Sequence, residues 1–380
     1  MSAITKLLAQ YSGLPAHVQR AVGSIVGAAV ADAATRPVHW VYDRSVIETV
    51  IGSSPTPEFW PTSLCPFYTL ETGARSCYND EAFAMLKAIA DTPPPAPYSS
   101  VFNREKLYTI LTEMYSPSSA YAESLKLRQI AYDPARREEK RNPIPGPWQH
   151  GGVTDFLAAH AAGVEPTGAA NHKESDGFCL SIPLIARLSV GESLGNEAFS
   201  DAVAESIRVL SASDSSVAHG SVQARMLRSL ITDGPGAGVN EAGAMRALAQ
   251  QAVAGLGDEV SAELEAVLAT STGTDTWNWG EDLLSPAYLD LVAGFGKACA
   301  YPGSFQGGLL GALSCSSFTE AVRRNLLAGG CNCSRANFIG ACFGAAYGIG
   351  GRGVPVEWIG RTDNGEEILA MAMEALAGPS

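Results

Sequence analysis

The sequence is poor in charged residues and lacks a long apolar run. Only 17% of its 380 residues are charged, while 46% are hydrophobic; soluble domains average roughly 25% charged residues. This much apolar material excludes disorder as the global state. The most apolar stretch, Ala21 to Ala34, is interrupted by Asp32. It falls short of the roughly 18 residues that a membrane-spanning helix needs, so we expect no membrane partner.

Cysteine and basic residues are also scarce. Eight cysteines are too few for a disulfide scaffold, so we expect reduced thiols. The start of the chain, MSAITKLLAQYSGLP, has no apolar core of signal-peptide length, which favours a cytoplasmic location. The net charge is −13, from 26 basic and 39 acidic residues. Such a field repels phosphate backbones, which argues against nucleic-acid partners, and it favours solubility.

Strand-like alternation does not recur, whereas the helical period does. Residues 17–34 place Val18, Val22 and Ile25 on one stripe, with small residues that let neighbouring helices approach closely. The same period is found at 79–90, 103–115, 119–131, 148–162, 177–190, 197–210, 215–231, 239–255, 258–269, 288–299, 303–314, 318–328, 332–347 and 364–377. Residues 52–77 and 132–148 read as irregular. The sequence therefore predicts an all-α protein, a single compact multi-helix domain over residues 1–380.

Polar groups are concentrated at four helix boundaries, residues 31–43, 76–85, 171–187 and 329–348. The second and fourth segments are polar loops that run into helices. Facing each other, they would form a two-cation site if both supplied carboxylates. The second contains Asp80 and Glu81, but the fourth presents Cys331, Asn332 and Cys333. Thiols are poor ligands for Mg²⁺, so chemistry alone does not predict a strong magnesium site.

The two cysteines leave other interpretations open. Together with His39 they would suit a soft metal such as Zn²⁺. At a helix N-terminus, either thiol would have a lowered pKa and could act as a nucleophile with His39 as its base. They could also be ordinary buried packing residues. The remaining histidines are expected at the surface or in ordinary hydrogen bonds; they are His17, His150, His160, His172 and His219.

Taken together, the motifs resemble those of the ADP-ribosylglycohydrolase family. The first long helix ends in VADAA around Asp32, YNDE at 78–81 precedes an apolar helix, and GGCNCS at 329–334 runs into a small-residue helix. The sequence VPVEWI at 354–359 also fits the family. HWVYD at 39–43 and YPGSFQG at 301–307 are similar to the branch that contains the J-type crystallins of jellyfish lenses.

The resemblance implies a set of site residues. The family's two Mg²⁺ ions would be held at Tyr78, Asn79, Asp80, Cys331, Cys333 and Ser334. Of these, only Asp80 and Ser334 keep hard-oxygen ligands of the family type, so the resemblance implies that the dinuclear magnesium site is largely lost. Asp80, Glu81 and Asp32 would be vestigial catalytic carboxylates. His39, Asp176, Gly330 and Asn332 are expected to contact a ligand.

The resemblance further implies a structural eye-lens crystallin without hydrolase activity and without a cofactor. One alternative is a hydrolase of the glycosidic bond of ADP-ribose with an altered site, which would still use Mg²⁺. Another is a protein that binds an ADP-ribose-like small molecule without turnover. Self-association at high concentration is also expected for a crystallin.

Overall fold

The computed structural model describes residues 2–92, 101–132, 142–190, 194–235, 241–271 and 277–377. Over these ranges the chain is almost entirely helical, which confirms the predicted all-α fold. Part of the irregular stretch 132–148, residues 133–141, lies outside the described residues. The prediction of a single domain over 1–380 stays a prediction.

Eighteen α-helices are found in the described ranges. They are α1 Ala3–Ser12, α2 Ala16–Thr35, α3 Arg44–Val50, α4 Cys77–Ala90, α5 Arg104–Met114, α6 Ala120–Tyr132, α7 Gly151–Ala162, α8 Asp176–Val190, α9 Asn196–Ile207, α10 Asp214–Thr232, α11 Glu241–Ala252, α12 Asp258–Leu268, α13 Pro286–Phe295, α14 Gly303–Ser314, α15 Phe318–Ala328, α16 Asn332–Tyr347, α17 Val356–Arg361 and α18 Gly365–Ala377. A 3₁₀ turn, Arg36–Val38, extends α2.

Three helices were not predicted, and among the predictions that ran past the end of a helix, the one at 288–299 ran furthest. Helices α1, α3 and α17 are short, so they offer few turns for a period to emerge. The pattern at 288–299 predicted a longer helix than α13, which ends at Phe295 because Gly296 has φ 108°. Two very short strands, β1 Tyr68–Thr69 and β2 Ile144–Pro145, pair in parallel. They connect the two stretches that the sequence showed as irregular.

Helices α2 and α16 cross in direct backbone contact at the centre of the fold. A Cβ atom added at Gly27 would overlap the carbonyl oxygen of Gly340, and one at Gly23 would overlap that of Gly344. Nearly all residues of both helices are buried. The small residues predicted to allow close helix approach therefore do so here. The crossing fixes the C-terminal end of α2 beside the N-terminal end of α16.

The remaining helices surround this pair. One continuous apolar core takes residues from nearly every helix, from Tyr11 to Leu376. In the described part of the chain, every helix is too short or too polar to cross a bilayer. The packing also leaves a polar region inside the core, where the C-terminal end of α2 meets the N-terminal ends of α4 and α16.

Candidate functional site

Three of the four polar segments meet inside the protein. Asp32 lies in the last turn of α2, Tyr78 in the first turn of α4, and Cys331 directly before α16. All three side chains are buried. The hydroxyl of Tyr78 lies 3.2 Å from the sulfur of Cys331. The segments that the sequence singled out thus form one site, although the helices that carry them are far apart along the chain.

Asp32 ties the three helices together. Its Oδ1 accepts a hydrogen bond from the backbone N–H of Ser76 (2.6 Å), and its Oδ2 accepts from the hydroxyl of Ser76 (2.7 Å) and the amide of Asn337 (2.9 Å). Burial raises the pKa of Asp32 to about 6, although these hydrogen bonds act in the opposite direction. Asp32 is therefore a structural acceptor that titrates close to neutral pH.

The sulfur of Cys331 is surrounded by polar groups. Nε2 of His39 lies 3.4 Å from it, and Nδ1 of the same ring lies 2.8 Å from the hydroxyl of Tyr68. Burial opposes ionisation, but hydrogen bonds from Cys299 and His39 outweigh it and lower the pKa of Cys331 well below its usual value. The interaction with Cys331, followed by burial, raises the pKa of Cys299. This cluster of Cys331, His39, Tyr78 and Cys299 is called the thiol cluster below.

Cys333 has a different environment. Its sulfur lies 3.7 Å from the hydroxyl of Thr35 and 3.9 Å from the backbone oxygen of Asp32. Burial raises the pKa of Cys333, and the charges of Asp32 and Cys331 add to the effect. The two cysteines thus have opposite pKa shifts. Within the described ranges, Cys331, Cys333 and His39 do not bring three ligand atoms within 4.8 Å of one another, which does not match the zinc interpretation.

The other positions of the implied magnesium site bond to protein groups. Asp80 forms an ion pair with Nη2 of Arg75 (3.0 Å) and accepts a hydrogen bond from Tyr121 (2.7 Å). The amide of Asn79 donates to Asn337 (2.8 Å), and the hydroxyl of Ser334 donates to the carbonyl of Cys331 (2.9 Å). Burial raises the pKa of Asp80, against the effect of Arg75.

Glu81 belongs to a second buried chain of contacts that the sequence did not suggest. Its Oε1 lies 3.0 Å from Nδ1 of His150, and Nε2 of His150 lies 2.9 Å from the sulfur of Cys77. Burial raises the pKa of Glu81 to about 7, against the effect of His150. Burial alone would lower the pKa of His150, but Cys77 and Glu81 raise it well above its usual value. The order Cys–His–Glu is that of a nucleophile, its base and an orienting carboxylate, here closed to solvent.

Three of the four residues expected to contact a ligand lie together around Cys331. His39 is part of the thiol cluster. Gly330 has φ 64° and exchanges backbone hydrogen bonds with Trp40 and Val41. The amide of Asn332 donates to the carbonyl of Thr35 (3.2 Å), while its Oδ1 is buried without a hydrogen-bond partner among the described residues.

The fourth of these residues, Asp176, begins α8, where its Oδ2 lies 2.8 Å from Nε2 of His172. The charge of Asp176 raises the pKa of Glu81, so the two buried carboxyl groups interact. His150 and His172 were both expected to be ordinary histidines, and both are hydrogen-bonded as expected. Their place beside the site depends on tertiary packing, for which the sequence offers no local signal.

Comparison with known proteins identifies the family. The family model described as ADP-ribosylglycohydrolase matches residues 14–379. Two curated relatives from Tripedalia cystophora are similar along their length. Crystallin J1A is 28% identical over 353 residues, which cover 93% of this chain and 95% of the relative. Crystallin J1B is 26% identical over 357 residues, which cover 94% of this chain and 96% of the relative.

A solved structure shares the fold. It is described as an ADP-ribosylglycohydrolase-related protein complex, and it is superimposed with a TM-score of 0.55 at 17% sequence identity, covering 96% of this chain and 99% of the other. The family model spans nearly the whole chain, and the motifs that carry the resemblance meet in one buried site. The chain belongs to the ADP-ribosylglycohydrolase family.

Proposed function

We propose that this protein is a structural crystallin of the eye-lens type, in which the family's dinuclear magnesium site and hydrolase activity have been lost. The similarity to Crystallin J1A and Crystallin J1B over more than nine-tenths of the chain supports this role. The net charge of −13 also fits it, since self-repulsion favours solubility at high concentration. We further propose a cytoplasmic location, no nucleic-acid or membrane partner, and weak self-association at high concentration.

The observation that carries the loss of the magnesium site is the bonding around Cys331. At a family ligand position, its sulfur is contacted by His39 and Tyr78. Asp80, which keeps a family carboxylate, is paired with Arg75. Two Mg²⁺ ions need a cage of anionic oxygen ligands, and the number of charged ligands sets the affinity. A cage with a single such carboxylate, already neutralised by an arginine, does not fit two dications.

An assay for release of ADP-ribose from an ADP-ribosylated protein tests this proposal. Wild-type protein with MgCl₂ is expected to release no more ADP-ribose than the buffer control. The triple variant Asn79→Asp, Cys331→Asp and Cys333→Asp restores the implied carboxylates and serves as the comparison. Metal-dependent release by the wild type, lost on adding a chelator, would overturn the proposal.

A hydrolase with an altered site is the second candidate, and one observation favours it. Asp32 and Glu81 are buried carboxyl groups whose pKa values are raised to about 6 and about 7. Carboxyl groups tuned to neutral pH are typical of acid–base catalysis. In that case, turnover would be lost in a Glu81→Gln variant that is still folded. Binding of ADP-ribose without turnover would instead raise the melting temperature on addition of ADP-ribose.

A further inference from the structure

Three metal-ligand side chains converge at the start of α8, beside the implied magnesium positions but on different residues. Nε2 of His172 lies 2.8 Å from Oδ2 of Asp176 and 3.8 Å from Oε2 of Glu174. All three ligand atoms lie within 4.8 Å of one another. Among the described residues, no other group of three or more His, Cys, Asp and Glu side chains has this spacing. Two tetrahedral ligands, each about 2.1 Å from a zinc ion, are about 3.4 Å apart. The three atoms therefore have the spacing of ligands on one face of a metal ion.

The backbone around these residues is held in place by hydrogen bonds. The carbonyl of His172 accepts from the hydroxyl of Ser211 (2.5 Å). Tyr301 N–H donates to the carbonyl of Lys173 (2.9 Å), and Glu174 forms a bridge with Ala300. Oδ1 of Asp176 accepts from the N–H of Gly177 (2.9 Å), which leaves Oδ2 directed to His172. The ligands are thus pre-positioned, which lowers the entropic cost of binding an ion.

Gly152, at the start of α7, packs directly against the ligand atoms. A Cβ atom at this position would overlap Oδ2 of Asp176 and would lie 3.0 Å from both Nε2 of His172 and the carbonyl oxygen of Leu210. Any side chain other than that of glycine would therefore press against the ligands. Glycine at this position therefore lets the backbone of α7 lie directly against His172 and Asp176.

A buried hydroxyl beside the ligands has no partner. Ser175 lies between Glu174 and Asp176, is 3% exposed, and its Oγ makes no hydrogen bond to any described residue. Leaving such a group unsatisfied costs free energy. The side chains of His172 and Glu174 are 10% and 32% exposed, whereas that of Asp176 is fully buried. One side of the cluster is therefore open to an ion from solvent.

We propose that His172, Glu174 and Asp176 form a binding site for a divalent transition-metal cation of the Zn²⁺ class. One imidazole and two carboxylates supply two negative charges and one borderline-soft nitrogen. Imidazole favours Zn²⁺ over Mg²⁺, which prefers oxygen ligands. Three protein ligands leave the remaining positions to water. This site is independent of the proposed crystallin role, since it uses none of the implied magnesium positions.

Isothermal calorimetry of the chelator-treated full chain with ZnCl₂ tests the proposal. Wild type is expected to bind zinc with one saturable site, and MgCl₂ at the same concentration is expected to give no comparable signal. His172→Gln and Glu174→Gln should each weaken zinc binding at least about tenfold. Glu174 is partly exposed, so its variant is expected to fold even if His172→Gln does not. Wild-type zinc affinity in a folded Glu174→Gln variant contradicts the proposal.

Cobalt spectroscopy separates this site from the thiol cluster. Co²⁺ bound by nitrogen and oxygen gives weak visible bands, whereas thiolate ligation adds intense near-ultraviolet charge-transfer absorption. We expect the weak bands alone, and we expect them to persist in the control variant Cys331→Ser with Cys333→Ser. Intense absorption that disappears in the cysteine variant assigns the metal to the thiols and overturns the proposal. Absence of any zinc or cobalt binding also overturns it.

Discussion

Nε2 of His39 lies 3.4 Å from the sulfur of Cys331, inside the core and at the start of α16. The family resemblance implies an aspartate ligand for magnesium at the position of Cys331. Here the position holds a sulfur that is hydrogen-bonded to protein groups. His39 and Cys331, for which the sequence left zinc binding and nucleophilic catalysis open, therefore form part of a packed polar cluster. The predictions below concern this cluster and the helices around it.

The first prediction concerns thiol reactivity. Cys299 and Cys315 are partly exposed, whereas the other six cysteines are buried. We expect Ellman's reagent to modify at most these two thiols rapidly in the native protein, and all eight in guanidinium. In Cys299→Ser at most one thiol, that of Cys315, should react before unfolding. Rapid modification of Cys331 in that variant, seen by peptide mass mapping, contradicts the burial of the thiol cluster.

The second prediction concerns the crossing of α2 and α16. Gly27→Ala places a methyl group against the carbonyl of Gly340, so the helices must move apart. We expect a loss of about 1–3 kcal/mol in the free energy of unfolding, measured with urea. Gly360→Ala in α17 is the control, because a Cβ there meets nothing within 4 Å. It should leave stability unchanged or slightly raised. Equal effects of the two variants are incompatible with the close crossing.

The third prediction concerns pH. Burial raises the pKa of Glu81 from its ordinary value of 4.5 to about 7. The folded state therefore holds a proton that the unfolded state has released between these values. This contribution is fully present below pH 4.5 and is lost as pH rises through 7. This loss lowers the free energy of unfolding by up to about 1.4 kcal/mol for each unit of rising pH.

The test of this pH dependence is the variant Glu81→Gln. Its unfolding free energy should vary less steeply between pH 4.5 and 7 than that of wild type. Cys77 and Glu81 also raise the pKa of His150, which contributes in the same direction, and this contribution becomes smaller in the variant. The exposed Glu113→Gln variant serves as control and should follow the wild-type slope. A Glu81→Gln slope equal to wild type shows that Glu81 is not protonated in this range.

The fourth prediction concerns Arg75 and Asp80. The side chains are 6% and 24% exposed, so the pair is partly shielded from solvent. Arg75→Gln leaves the Asp80 carboxylate with Tyr121 as its remaining partner and should lower stability by about 1–3 kcal/mol. Lys126→Gln breaks the exposed pair with Glu123, where the side chains are 64% and 69% exposed. That change should be within about 0.5 kcal/mol of wild type.

Much of the helical architecture could be predicted from the sequence, because long amphipathic or fully apolar segments carry a clear period. The pattern at 17–34 predicted α2, found at Ala16–Thr35. Helix α3, with seven residues, has barely two turns and gave no such signal. The overlong prediction at 288–299 failed at Gly296, whose φ of 108° ends the helix.

The site could be predicted only in part. The motifs around Asp32, Tyr78 and Cys331 indicated which segments meet, and the structure brings them together. Their bonding partners could not be predicted, because they depend on helix rotation and on residues far away in sequence. His150 contacts Glu81 across 69 positions of the chain, and no local pattern marks it. Arg75 lies five residues before Asp80, yet their pairing requires the turn that starts α4.

The central claim is that the implied dinuclear magnesium site no longer binds its ions. Isothermal calorimetry of the chelator-treated full chain with MgCl₂ tests it most directly, with the variant carrying Asn79→Asp, Cys331→Asp and Cys333→Asp measured alongside. The account predicts no saturable magnesium binding to the wild type at millimolar concentration. Saturable binding of two Mg²⁺ ions by the wild type, weakened by Asp80→Asn, would contradict it.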